Sequence, residues 1–100
     1  MSGEKEEGVR RISLKSSKPI SEVKQGDRMK VNGKNLEVDA HYVFMEHSPT
    51  TKEMIIELVD PEKEEFYQLR YFSDQVKESM QLFKLEAIIY KEVELKSVEW

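Results

Sequence analysis

Two histidines are the first residues whose chemistry must be decided. His41 and His47, with Asp39 two positions before His41, are residue types that hold zinc and other transition metals. If residues 39–47 are extended, Asp39 and His41 share a face, but the six residues from His41 to His47 span about 20 Å. One ion could reach both rings only if the strand folded back, so the expectation is two hydrogen-bonded or solvated imidazoles and no metal site. Asp and Glu number 20 in 100 residues, yet an acid–base pair needs one carboxyl in an apolar pocket, and no pattern marks one. With no Cys there is no thiol nucleophile, disulfide framework or Cys-ligated zinc. G-x-S-x-G, G-x-G-x-x-G, the P-loop and H-E-x-x-H do not occur. The chain reads as a non-enzyme without a cofactor.

The stretch EFYQLRYF, residues 65–72, offers a different chemistry. On a strand Tyr67, Leu69 and Tyr71 take one face, while Phe66, Gln68, Arg70 and Phe72 take the other. One face must be core. The other presents rings and a guanidinium that anchor protein partners or stack on bases, unless barrel and helix cover both. Trp100 belongs either to the last core layer or to a terminal docking tag. The candidate binding residues are therefore Phe66, Tyr67, Arg70, Tyr71, Phe72 and Trp100. The alternative, nucleic-acid binding, would draw on Arg10, Arg11, Arg28, Lys30, Lys34 and Arg70. A net charge of −4 with both signs interspersed argues against a field that coats nucleic acid or an anionic membrane.

The elements that must position these residues follow from alternation and turn chemistry. Residues 1–18 hold few large apolar groups and read as a disordered or partly ordered tail, in which VRRISL could add as an edge strand. Residues 19–100 read as a single β-rich domain. A strand over 28–31 precedes Asn32-Gly33, a pair that tolerates the positive φ angles of a type I′ hairpin. A long strand over 35–47 places Leu36, Val38, Ala40, Tyr42 and Phe44 on one face, with Val43 and Met45 implying cover on both sides of its second half. Strands at 52–59 and 65–72 continue a meander, with Met54, Ile56 and Leu58 inward. A short helix is expected near 74–80. Residues 82–90 fit a helix or a strand, and the strand is preferred because Ile88-Ile89-Tyr90 favours β. A closing strand with a bulge near Ser97 ends the pattern.

Composition bounds the rest. With 38% hydrophobic and 36% charged residues, the chain holds one core and a densely ionic surface. Abundant Lys and Glu with no Cys matches the bias of heat-adapted proteins. No stretch has the roughly 18 apolar residues of a spanning helix, so no membrane association and a cytoplasmic location are expected.

Five or six short strands with one short helix suit a small barrel better than a sandwich. The run GDRMKVNG, residues 26–33, resembles the opening of SH3-like small β-barrels of the Tudor and KOW sort. That resemblance implies binding to peptides, methylated side chains or nucleic acids. An α+β fold, a four-stranded antiparallel sheet with a C-terminal helix, is the alternative architecture. The functional expectation is a non-catalytic interaction module, an accessory subunit or adaptor that contacts protein.

Overall fold

The computed structural model describes residues 12–100. Its most local feature is the Asn-Gly hairpin. β2 (Arg28–Val31) and β3 (Lys34–Glu46) pair antiparallel with Val31 opposite Lys34. Asn32 and Gly33 have φ of 52° and 82°, so both central residues take the positive values of the expected type I′ turn. The chain then runs through β4 (Lys52–Asp60), β5 (Glu65–Phe72), the one-turn helix α1 (Val76–Ser79), β6 (Gln81–Glu86), β7 (Ile89–Val93) and β8 (Ser97–Glu99). Ahead of β2 lie β1 (Ser13–Lys15) and a 3₁₀ turn over Ile20–Glu22.

These strands form one sheet in the order β1-β8-β2-β3-β4-β5-β6-β7. Every pairing is antiparallel except β1 with β8. The fold is mainly β with one short helix. It has eight strands among the described residues where five or six were expected, and its ladder is open where a small closed or nearly closed barrel was expected. The four-stranded α+β alternative does not describe it.

The open sheet is nevertheless strongly curled. β8 and β7 stand six strand spacings apart in the order, about 29 Å in a flat sheet. Residues 94–96 join them, and three residues reach about 14 Å from Val93 to Ser97. The link forces the curl. Asn32 holds it in place: its Nδ2 donates to Glu94 O at 2.8 Å, and its Oδ1 accepts from Lys96 N at 2.6 Å and Ser97 N at 3.2 Å. Inside the curl Met29, Val31, Leu36, Val38, Ile56, Leu58, Leu69, Met80, Leu82 and Val98 are buried as one apolar core. Met54, Ile56 and Leu58 point inward as the alternation of β4 requires.

Two β-bulges in β3 change the faces that strict alternation assigns. The register shifts between Val38 and Ala40 and again between Val43 and Met45. An extra residue on one strand reverses the side on which each later side chain falls. Leu36 and Val38 enter the core, but beyond the first bulge His41 and Val43 share the side of Ile56 and Met54, and Tyr42 turns outward opposite Ile55. Ala40, Tyr42 and Phe44 therefore do not continue the inward row. The second half of β3 is uncovered: Val43, Phe44 and Met45 are about half-exposed.

The C-terminal third also differs from its sequence reading. Residues 82–90 are neither one helix nor one strand but most of the β6–β7 hairpin, with Glu86 opposite Ile89. Its two-residue tip holds Ala87 at φ 59°. The expected bulge near Ser97 is instead the non-paired link that ends β7 and starts β8.

The N-terminal expectation of an edge strand overlaps β1 at Ser13 and Leu14, which pair with Ser97 and Val98. Ile12 is buried in the core, Ser17 N donates to Trp100 O at 2.8 Å, and Lys18 Nζ lies 2.7 Å from Asp27 Oδ2. Val9, Arg10 and Arg11 lie outside the described residues. No helix among the described residues is long and apolar enough to cross a membrane.

Candidate binding surface on the outer face of the sheet

β5 divides its side chains as its alternation dictates. Tyr67, Leu69 and Tyr71 are buried inside the curl, and Phe66, Gln68, Arg70 and Phe72 point outward. Register then assembles rows across the outer face. Tyr42, Ile55, Arg70 and Gln81 align on β3 to β6, and Glu57, Gln68, Phe83 and Glu92 align on β4 to β7. Ile55 is 2% exposed yet separate from the interior cluster. Its cross-strand neighbours Tyr42 and Arg70 account for this.

A chain of polar contacts runs through this face. Tyr42 Oη donates to Glu57 Oε2 at 2.7 Å, and Gln68 Nε2 donates to the same oxygen at 3.4 Å. Gln68 Oε1 accepts from Arg70 Nε at 3.1 Å and Nη2 at 2.7 Å. Gln68 thus separates a carboxylate from a guanidinium that could otherwise pair. The guanidinium lies over the Phe83 ring, with Cζ 4.2 Å from its centroid, and 5.9 Å from that of Phe44. Desolvation and the bond to Glu57 push the Tyr42 hydroxyl up to about 12. Burial and the Glu57 charge also raise Tyr90, while Arg70 partly offsets them.

The sequence-selected residues do not form one site. Phe66, Arg70 and Phe72 share the outer face. Tyr67 and Tyr71 are inside, where Tyr67 Oη donates to Glu65 Oε1 at 3.0 Å and Lys34 Nζ lies 3.2 Å from the same hydroxyl. That donated bond comes first among the causes that lower Glu65, and the Tyr67 contact likewise raises Lys34. Trp100 packs against the core at the far end, its Nε1 donating to Lys18 O at 2.8 Å. There it lines a groove of about 920 Å³ with Pro19, Met54, Tyr71 and Val76. Of the cations in the alternative set, Arg28 and Lys30 lie opposite Glu37 and Glu99 on neighbouring strands, and Lys34, though exposed, is engaged by Tyr67 and Glu65. They form no common patch with Arg70.

Both histidines have structural partners. His41 Nδ1 lies 2.6 Å from Val23 O and Nε2 lies 2.8 Å from Tyr71 Oη. His47 Nε2 lies 3.4 Å from Glu53 Oε1, with its ring edge-on to Phe72.

Sequence reasoning missed Tyr42, Phe44 and Phe83. Their outward placement depends on the β3 bulges and on β6 lying beside β5. The strand expected over 82–90 includes Phe83, but its cross-strand neighbours are set by tertiary pairing. The chain matches no known family model, no curated protein and no solved structure.

Proposed function

We propose that this chain is a non-catalytic protein-interaction module, an adaptor or accessory subunit that docks through the outer face of β3 to β7. One observation carries the reading. On this face Tyr42, Phe44 and Phe66 are 38%, 52% and 42% exposed. Isolated surface apolar groups are ordinary, but a group of large ones beside a ring-stacked arginine has the composition of an interface centre.

The SH3-like resemblance of residues 26–33 and the engagement of both histidines in structural bonds favour binding over chemistry. The Cys-free, mixed-charge composition fits a cytoplasmic setting. Nucleic acid is the less favoured ligand, because a phosphate backbone calls for several cations along one track. Arg70 shares its face with Glu53, Glu57 and Glu92.

Photo-crosslinking tests the proposal. A benzoylphenylalanine replacing Phe44 or Phe66 in the native host should give a protein adduct that survives nuclease, and one replacing Lys30 should not. A nuclease-sensitive adduct, together with oligonucleotide binding that weakens steeply with salt, would instead establish the nucleic-acid reading. Equal labelling from all three positions would remove the outer face from consideration.

A further inference from the structure

Arg70 is a cation on this face whose hydrogen bonding is incomplete. A guanidinium has five N–H donors. Its two hydrogen bonds here both end on Gln68 Oε1, and no carboxylate among the described residues forms an ion pair with it. The neighbouring carboxylates each have a side-chain contact on one oxygen: Glu57 with Tyr42 and Gln68, Glu92 with Gln81 at 3.1 Å, and Glu53 with His47 at 3.4 Å.

This asymmetry constrains whatever covers the surface. Arg70 is already half-buried against Phe83, and a docked protein would remove its remaining water. A dehydrated guanidinium left without an acceptor is strongly unfavourable, whereas a carboxylate meets its fork with charge-assisted bonds. A partner lysine or arginine would compete with the existing donors to Glu57 and leave Arg70 stranded.

Resting on the docking reading above, we infer that the face receives an apolar protein segment that carries one carboxylate. A single aspartate or glutamate of the partner pairs with the free N–H groups of Arg70. Apolar side chains on either side of it seat against Phe44, Phe83 and Phe66.

The test uses the full chain, labelled with ¹⁵N, and three capped tripeptides as probes: Leu-Asp-Leu, Leu-Asn-Leu and Leu-Lys-Leu. Leu-Asp-Leu should shift the Nε–H resonance of Arg70 and bind about tenfold more tightly than Leu-Asn-Leu, the factor expected when a charge-assisted bond replaces a neutral one. Leu-Lys-Leu should bind more weakly than either. In Arg70→Gln the Asp and Asn peptides should bind equally, and Arg70→Lys should keep part of the difference. Equal binding of the Asp and Asn peptides to the native chain, with Phe44 and Phe83 resonances moving in both, overturns the carboxylate inference and leaves the docking reading standing. Absence of any shift with all three peptides also overturns it, and the cross-linking outcome then decides the docking reading separately.

Discussion

The ring of His41 bridges Val23 and Tyr71, with Nε2 2.8 Å from the Tyr71 hydroxyl. A carbonyl only accepts, so the proton of the neutral ring sits on Nδ1 and points at Val23 O, and Nε2 accepts from Tyr71. The imidazole therefore joins the segment after the 3₁₀ turn to β5. Tyr71→Phe should cost about 1 kcal/mol, and His41→Phe, which strands a carbonyl and a hydroxyl together, about 2 kcal/mol. Urea unfolding with an unchanged slope measures both, and a larger loss for Tyr71→Phe would contradict the bridge.

Tyr71 and Tyr42 bear on alkaline stability. Burial raises Tyr71 to about 12, and burial with the Glu57 bond raises Tyr42 to about 12. An unfolded tyrosine ionises near 10, so the folded state holds its protons longer. Stability is full below about pH 10 and declines as pH climbs from there towards 12. Absorbance at 295 nm should show a late step, reduced in Tyr42→Phe and in Tyr71→Phe.

Asp27 works in the opposite direction. The Lys18 ammonium at 2.7 Å, then the Lys24 backbone N–H, hold its carboxyl below the usual value. Its contribution is present above the unfolded carboxylate pKa and disappears as pH falls through the folded value. Asp27→Asn should flatten the acid limb of the stability profile below about pH 4. An unaltered acid limb in that variant would discount the Lys18 pair.

Asn32 separates turn chemistry from tertiary pinning. Asn32→Gly keeps the positive φ but removes three side-chain bonds to residues 94, 96 and 97, for an expected loss of about 2 kcal/mol. Asn32→Asp keeps the acceptor and loses the donor, so its loss should be nearer 1 kcal/mol. Chemical denaturation ranks the two, and a Gly variant as stable as the native chain would reduce Asn32 to a turn residue.

At the β6–β7 tip, Ala87→Gly should stabilise by up to about 1 kcal/mol, since it relieves a side chain at φ 59°. Ile88→Ser should leave stability unchanged, because the side chain has almost nothing to lose. Thermal melts check both. A destabilised Ile88→Ser would mean that the tip packs on something within the chain.

These contrasts indicate what the sequence made legible. Asn32-Gly33 was readable because both positive φ values are a local property of that pair. The inward row of β4 and the split faces of β5 were readable because neither strand carries a bulge. The turn of β3 at Asp39 was not, since a bulge is fixed by the register of β4 against it. The tip at Ala87 carried no Gly or Asn to announce it, so two strands read as one. The outer face was half visible: Phe66, Arg70 and Phe72 follow from alternation, whereas Phe44 and Phe83 reach Arg70 only through tertiary pairing.

The parallel pairing of Ser13 with Ser97 sets a timetable for the molecule. Contacts between residues 84 apart close late and slow the search for the native state. During synthesis the meander from β2 to β7 can assemble first, but Ile12 and the β2 edge stay bare until residues 97–99 leave the ribosome. Closure of the sheet thus waits for its last strand, and an apolar edge stays open to other chains for that interval.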